Sequence, residues 1–222
     1  MPIQSIPTTP WARLRALWSM YLVDHGFIRA IYNNFYALGG GMYRCSQPNP
    51  FQFVRYQKKL GIQTVLNLRG PNPYGSYPLE QEICQQLGIT MIDLPVFSRR
   101  APRCEEIMAL KQAFESIQYP ALMHCKSGAD RAGIASALYR LMHLGHPIDE
   151  VMGELHLKYG HIKQAKTGVL DFFLATYQAR NAAEPIAFLD WVQQEYDHEA
   201  VEKAFHEEGW ASLVVDKVLH RE

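Results

Sequence analysis

No stretch of this 222-residue chain narrows its architecture as much as Ala121-Leu-Met-His-Cys-Lys-Ser-Gly-Ala-Asp-Arg-Ala-Gly133. Residues 121 to 124 read as a short buried strand, 125 to 131 as a loop, and 131 to 144 as a helix stopped by Gly145. A strand running through a short loop into a helix belongs to a sheet with helices on its faces. The flanking patterns agree. Strands are expected at 42–45, 64–68 and 89–94, and helices at 51–60, 79–87 and 105–118. Gly61 and Gly88 close two of those helices, and 70–78 and 95–103 are loops. The fold class is therefore α/β, a mostly parallel central sheet of about four to five strands flanked by helices.

Extra helices are expected at both ends. Residues 1–9 are irregular, and 11–35 form one or two helices broken by Gly39-Gly40-Gly41. Trp11, Leu14, Leu17, Trp18, Tyr21 and Leu22 recur at spacings of three and four, giving one apolar stripe. Such a stripe packs on its own domain or serves as a membrane-surface or partner helix. Toward the C-terminus, helices are expected at 149–159, 167–180, 185–196 and 199–220, where Trp191, Tyr196, Phe205 and Trp210 imply packing.

Lys plus Arg equals Asp plus Glu at 22 each, so any attraction for an anion must be local, and nucleic acid is not an expected partner. Cys45, Cys84, Cys104 and Cys125 form no Cys-x-x-Cys pair, which argues against zinc; no metal and no cofactor is expected. Scattered thiols suit a reducing, cytoplasmic compartment. The order of a signal peptide is not seen, and the apolar stretch 16–23 is interrupted by Ser19 and too short to span a bilayer.

The loop at 125–131 carries the chemistry. Between a strand end and a helix start, several backbone N–H groups face one point, and the helix dipole adds positive potential there. A phosphate dianion suits that place. The same field favours a thiolate, which makes Cys125 a nucleophile. Gly128 lets the loop curl without filling it, and Arg131 can hold two phosphate oxygens as a planar fork.

His124-Cys125-x5-Arg131 with Gly128 resembles the signature of the protein tyrosine phosphatase superfamily. The lysine after the cysteine is similar to its dual-specificity and phosphoinositide-phosphatase branches, bacterial members related to inositol-phosphate phosphatases in particular. The resemblance covers residues 40 to 145. It implies a phosphatase domain over 39–183, with helical extensions at 1–38 and 184–222. It further implies Cys125 as nucleophile, Arg131 as phosphate clamp, His124 as orienting the loop, and the backbone of Lys126, Ser127, Gly128 and Ala129 through Arg131 as the cradle. Tyr43 to Pro48 resembles the family's opening strand, where Arg44 is a pairing residue.

The family also needs a general acid. The 95–103 loop, where an Asp is usual, has no carboxylate. Asp130, inside the cradle as in some phosphoinositide phosphatases, is the preferred candidate; Asp93, whose separation from Cys125 resembles the family's, is the other. Ala132 stands where relatives carry Ser or Thr, which implies slow breakdown of the phosphoenzyme. Arg99, Arg100, His161, Lys163 and Gln164 are candidate substrate contacts, Gln164 in the region where relatives position water. With Lys126 they favour an inositol phosphate or phosphoinositide over phosphotyrosine or phosphoserine protein. The expected partner is a phosphorylated small molecule, lipid or protein, with peripheral membrane contact through the N-terminal helix as an added expectation. A phosphate-binding module that has lost catalysis, and a sulfurtransferase-like thiol enzyme, are the alternatives.

Overall fold

A computed structural model describes residues 5–207. They form two compact units. One runs up to Val96 and includes Ser116–Ala132; the other comprises Phe97–Glu115 and the residues from Gly133 on.

The first unit holds a five-stranded sheet. Its strands are β1 (Tyr36–Gly39), β2 (Met42–Ser46), β3 (Thr64–Asn67), β4 (Thr90–Asp93) and β5 (Ala121–Cys125), in the spatial order β1-β2-β5-β3-β4. Every pairing is parallel except the β1–β2 hairpin. All residues of β3 and β5 are buried, as apolar runs in the middle of a parallel sheet should be. On one face Cys45, Val65 and Leu122 pack with Phe53 and Tyr56 of α3 (Pro50–Leu60) and Cys84 of α4 (Ser76–Leu87). Asn49 and Gln52 form a reciprocal capping box at the start of α3, and Gly61 closes it. Helix α4 begins earlier than its apolar pattern suggested, because Pro78 is tolerated in a first turn whose N–H groups have no intrahelical acceptor. The parallel register brings Ser46 level with Cys125 and Asn67 level with His124. The cysteine thus sits at the carboxyl end of the central strand, where open α/β sheets bind ligands.

The N-terminal segment departs from expectation. Helix α1 (Pro10–Trp18) continues into a wider π-helical turn, Ser19–Val23, and then α2 (Gly26–Ile31). Helical structure ends at Ile31, not near Phe35. Phe35 instead stacks on Tyr43 and Tyr56, at 5.4 and 4.6 Å between ring centres, and Tyr36–Gly39 becomes the edge strand β1. The apolar stripe also splits. Ala16 and Met20 bury against Leu79 of α4, with Leu17 and Tyr21 partly buried beside them. A Cβ on Gly75 would lie 2.1 Å from the Ala16 carbonyl oxygen, so only Gly75 permits this approach. Ala16 and Met20 face inward, and Trp11, Leu14, Trp18 and Leu22 are exposed.

The second unit is helical. It contains α5 (Cys104–Ser116) up to Glu115, α6 (Asp130–Met142) from Gly133, α7 (Ile148–Val151), α8 (Val169–Ala183), α9 (Phe188–Gln194) and a helix over 198–207. The helix expected at 149–159 is broken. After α7 come two separate 3₁₀ turns, Met152–Glu154 and Leu157–Tyr159, because His156 is extended and its Nδ1 accepts from the Lys158 N–H, capping the second turn. Phe173, Tyr177, Phe188, Trp191 and Tyr196 form a continuous aromatic cluster. Trp210, His220, the distal part of the 199–220 helix and residues 1–4 lie outside the described residues.

Phe53, 1% exposed, and Phe51, 79% exposed, share α3. Phe53→Ala should cost about 3–5 kcal/mol. Phe51→Ala should stay within about 0.5 kcal/mol. Urea unfolding of both variants checks the assigned core; equal losses would contradict it.

Candidate active site

Cys125 ends β5 and is 1% exposed; its Sγ accepts a hydrogen bond from the Gly128 N–H at 3.2 Å. The loop's shape follows from where its carbonyls go. The Lys126 oxygen accepts from the Gln47 N–H (3.3 Å) and the Ser127 oxygen from Asn34 Nδ2 (3.0 Å). Arg44 Nη2 donates to both the Gly128 and Ala129 oxygens, at 2.7 and 3.2 Å. Four successive carbonyls are thereby held on the outside, which turns the loop's N–H groups toward its concave side. Gly128 has φ +75°, and a Cβ there would lie 2.7 Å from the Ser46 nitrogen. No other residue fits that position without displacing β2.

His124 is fully buried, with Nε2 2.5 Å from Glu80 Oε1, and its carbonyl accepts from the Leu68 N–H at 2.9 Å. Gln47 Nε2 donates to the other Glu80 oxygen at 2.7 Å. His124 is therefore fixed beneath the loop by a buried carboxylate that is itself fixed.

Lys126 is held by a residue that sequence reasoning missed. Asp24 follows the π-helical turn and is wholly buried. Its carboxylate accepts from Arg69 as a fork (2.8 and 3.1 Å), from Arg29 Nη2 (3.0 Å) and from the Ser76 hydroxyl (2.9 Å). Lys126 Nζ lies 3.0 Å from Asp24 Oδ1. Burial pushes the Asp24 pKa up, but the Arg69, Arg29 and Lys126 charges and hydrogen bonds outweigh it and hold the group at about 2. The Tyr74 ring centre is 5.7 Å from both the Arg69 guanidinium carbon and Lys126 Nζ. A lone Asp after an apolar helix gives no sequence signal of such a role.

Asp130 and Arg131 open α6, half-buried, and Ala132 behind them is fully buried. Asp93 ends β4, and both its oxygens are engaged: Oδ1 accepts from Asn67 Nδ2 at 2.7 Å and Oδ2 from the Tyr77 hydroxyl at 2.6 Å. Burial and this carboxylate push the Tyr77 pKa up to about 12. The first unit thus gathers Cys125, Lys126, Ser127, Gly128, Ala129, Asp130 and Arg131 in one loop and helix start, with Asp93 two strands away across β3.

Arg99, Arg100, His161, Lys163 and Gln164 belong to the second unit. Arg100 stacks on Phe97 (4.2 Å to the ring centre) and pairs with Glu106, while Arg99 is exposed. His161 is buried, with Nε2 2.5 Å from Asp171 Oδ2; Lys163 Nζ lies 3.5 Å from Asp171 Oδ1, and Gln164 is exposed.

Residues 39–161 match the family described as Swiss Army Knife protein, DSP-PTPase phosphatase domain. In sequence the chain is similar to the dual specificity protein phosphatase TpbA of Pseudomonas aeruginosa (strain UCBPP-PA14), 27% identical over 110 residues, which is 49% of this chain and 47% of TpbA. The chain thus spans about half the length of that relative. Its fold is similar to crystalline P. aeruginosa TpbA (TM-score 0.54, 19% identity, 78% of this chain and 91% of that one). It is also similar to the core catalytic domain of the PP-IP phosphatase SIW14 from S. cerevisiae (TM-score 0.52, 17% identity, 70% and 96%).

The low Asp24 pKa carries a pH dependence. Its folded value lies below the ordinary 3.8, so its stabilisation is complete above 3.8 and is lost as pH falls through about 2. The amount is about 2 kcal/mol at neutral pH. Asp24→Asn should lower neutral-pH stability by at least that much and flatten the dependence between pH 4 and 2. Urea melts of both proteins across that range check it; matching slopes would contradict the assignment.

Proposed function

The chain belongs to the family of Swiss Army Knife DSP-PTPase phosphatase domains, and on that premise we propose that it hydrolyses phosphate monoesters through a phosphocysteine intermediate on Cys125. One observation carries the reading: a cysteine at a strand end inside a loop whose carbonyls are drawn outward by Arg44, Asn34 and Gln47. That arrangement fits a tetrahedral oxyanion over the sulfur.

In the first step the Cys125 thiolate attacks phosphorus, the bond to the leaving oxygen breaks, and that oxygen takes a proton from Asp130. In the second, water attacks phosphorus and the S–P bond breaks. The thiolate is restored, inorganic phosphate leaves, and the water proton returns to the Asp130 carboxylate. Arg131, in the first turn of α6, grips two equatorial oxygens through both steps. Asp93, whose two oxygens accept hydrogen bonds from Asn67 and Tyr77, is the other candidate for the acid. Ala132 offers no hydroxyl to help the sulfur leave, so the second step is the slow one and a burst of alcohol should precede steady turnover.

The substrate is a phosphorylated small molecule, lipid or protein. Lys126 and Arg69, gathered on Asp24 beside the cradle, support a substrate with more than one phosphate, an inositol phosphate or phosphoinositide. TpbA is by name a dual specificity protein phosphatase and SIW14 a PP-IP phosphatase, so both substrate classes belong in the assay. A cytoplasmic location is part of the reading, since the nucleophile must stay reduced.

Cys125→Ser should abolish phosphate release from para-nitrophenyl phosphate, phosphotyrosine peptide and inositol polyphosphates while retaining phosphate binding. Arg131→Lys should lower kcat/KM by about two orders of magnitude or more, because a point charge replaces a fork. Substantial turnover by Cys125→Ser would end the mechanism.

Leaving-group dependence identifies the acid. Asp130→Asn should slow phenyl phosphate far more than para-nitrophenyl phosphate, whose leaving group needs little protonation. Equal losses would remove Asp130 from that role, and the selective loss appearing in Asp93→Asn would transfer it there.

A further inference from the structure

We propose that the outer face of α1, the π-helical turn and α2 is a docking surface for an anionic lipid bilayer. Trp11 (81% exposed), Leu14, Trp18 and Leu22 follow one another at spacings of three, four and four and stand on one side of the segment. Phe27 and Ile31 (89% exposed), four residues apart, present further apolar surface on α2. The inner side already has its core in Ala16, Met20 and Leu79, so these outer side chains are surplus to the packing of α1. A contiguous apolar surface of this kind marks an interaction site.

Charge selects the occupant. In the first sixty residues Asp24 is the sole carboxylate, and it is buried and committed to Arg69, Arg29 and Lys126. Arg13, Arg15, Arg55, Lys58 and Lys59 are all exposed there. Arg13 pairs with Glu82 on α4. Helix α3, which carries Arg55, Lys58, Lys59 and the exposed Phe51, adjoins α2 through the Gln52 Nε2 bond to the Arg29 carbonyl at 3.3 Å. Apolar and aromatic side chains in a sixty-residue stretch whose exposed formal charges are all cationic complement the interface of an anionic membrane. A second copy of the chain fits poorly, because a twofold contact would set the same cations against each other. Among the described residues no helix is long and apolar enough to cross a membrane, so this surface lies on the bilayer. The inference is independent of the phosphatase chemistry.

The test is co-sedimentation of the full chain with vesicles of phosphatidylcholine alone or with one quarter phosphatidylglycerol, at low and high salt. Binding should be several-fold greater to the anionic vesicles and fall with salt. Tryptophan emission should shift to shorter wavelength on binding. The double variant Leu14→Asp, Trp18→Asp should lose at least ten-fold in binding while keeping its melting profile and its turnover of soluble para-nitrophenyl phosphate. Failure of the wild type to sediment with anionic vesicles at low salt overturns the proposal. So does equal binding by the variant, or a wild-type dimer in sedimentation velocity that the variant abolishes, which would assign the face to a second copy.

Discussion

The site depends on where four consecutive carbonyl oxygens point. A loop can offer N–H groups to an anion only if its carbonyls find donors elsewhere, since a buried carbonyl without one costs about 1–3 kcal/mol. Here Arg44 supplies a charged donor to two of them from β2, and Asn34 and the Gln47 backbone supply the rest. Arg44 is wholly buried, so its charge is tolerated because it is engaged with these oxygens. Its place is set in turn by the β2–β5 register, which puts Arg44 opposite Met123, two residues before the cysteine. The sheet, the hairpin that begins it and the loop are one mechanical unit.

Much of this was legible because it is local. The strand, the Cys125–Arg131 loop and the helix after it are contiguous, and the residue types follow from what a phosphate cradle needs. Four of the five strands were legible for the same reason, as alternating short apolar runs and helices. The supports were not. Arg44 and Gly128 are 84 residues apart, and Asp24 and Arg69 are 45 apart. A single sequence carries no mark of such pairs. Edge strand β1 was hidden for a different reason. Its residues are mostly exposed and too few to show alternation, so a glycine run after a helical pattern looked like a simple stop. The helix expected at 149–159 failed because periodicity cannot register a side chain that caps a new turn, as His156 does.

Asp24 joins the N-terminal segment to the cradle by electrostatics. Arg29, Arg69 and Lys126 would repel one another if gathered without a counter-charge. One carboxylate holds all three and leaves a local surplus of positive charge. The surplus favours an anion without any excess of cations in the chain as a whole, which balances 22 basic against 22 acidic residues. Neutral composition and a cationic site are compatible because the field at short range is set by neighbours.

The same short segment has two committed sides. Ala16 and Met20 dock on Leu79 of α4, Asp24 reaches Lys126 in the loop, and Trp11, Leu14 and Trp18 face away. The close approach at Gly75 allows only a small inner residue, so helix α1 can satisfy its core with Ala16 and present its bulk outward. Asp24 lies between the π-helical turn and α2, at the junction of the two helices that carry the exposed apolar face. An N-terminal extension that looks like an appendage is thus built into the site by a single buried charge.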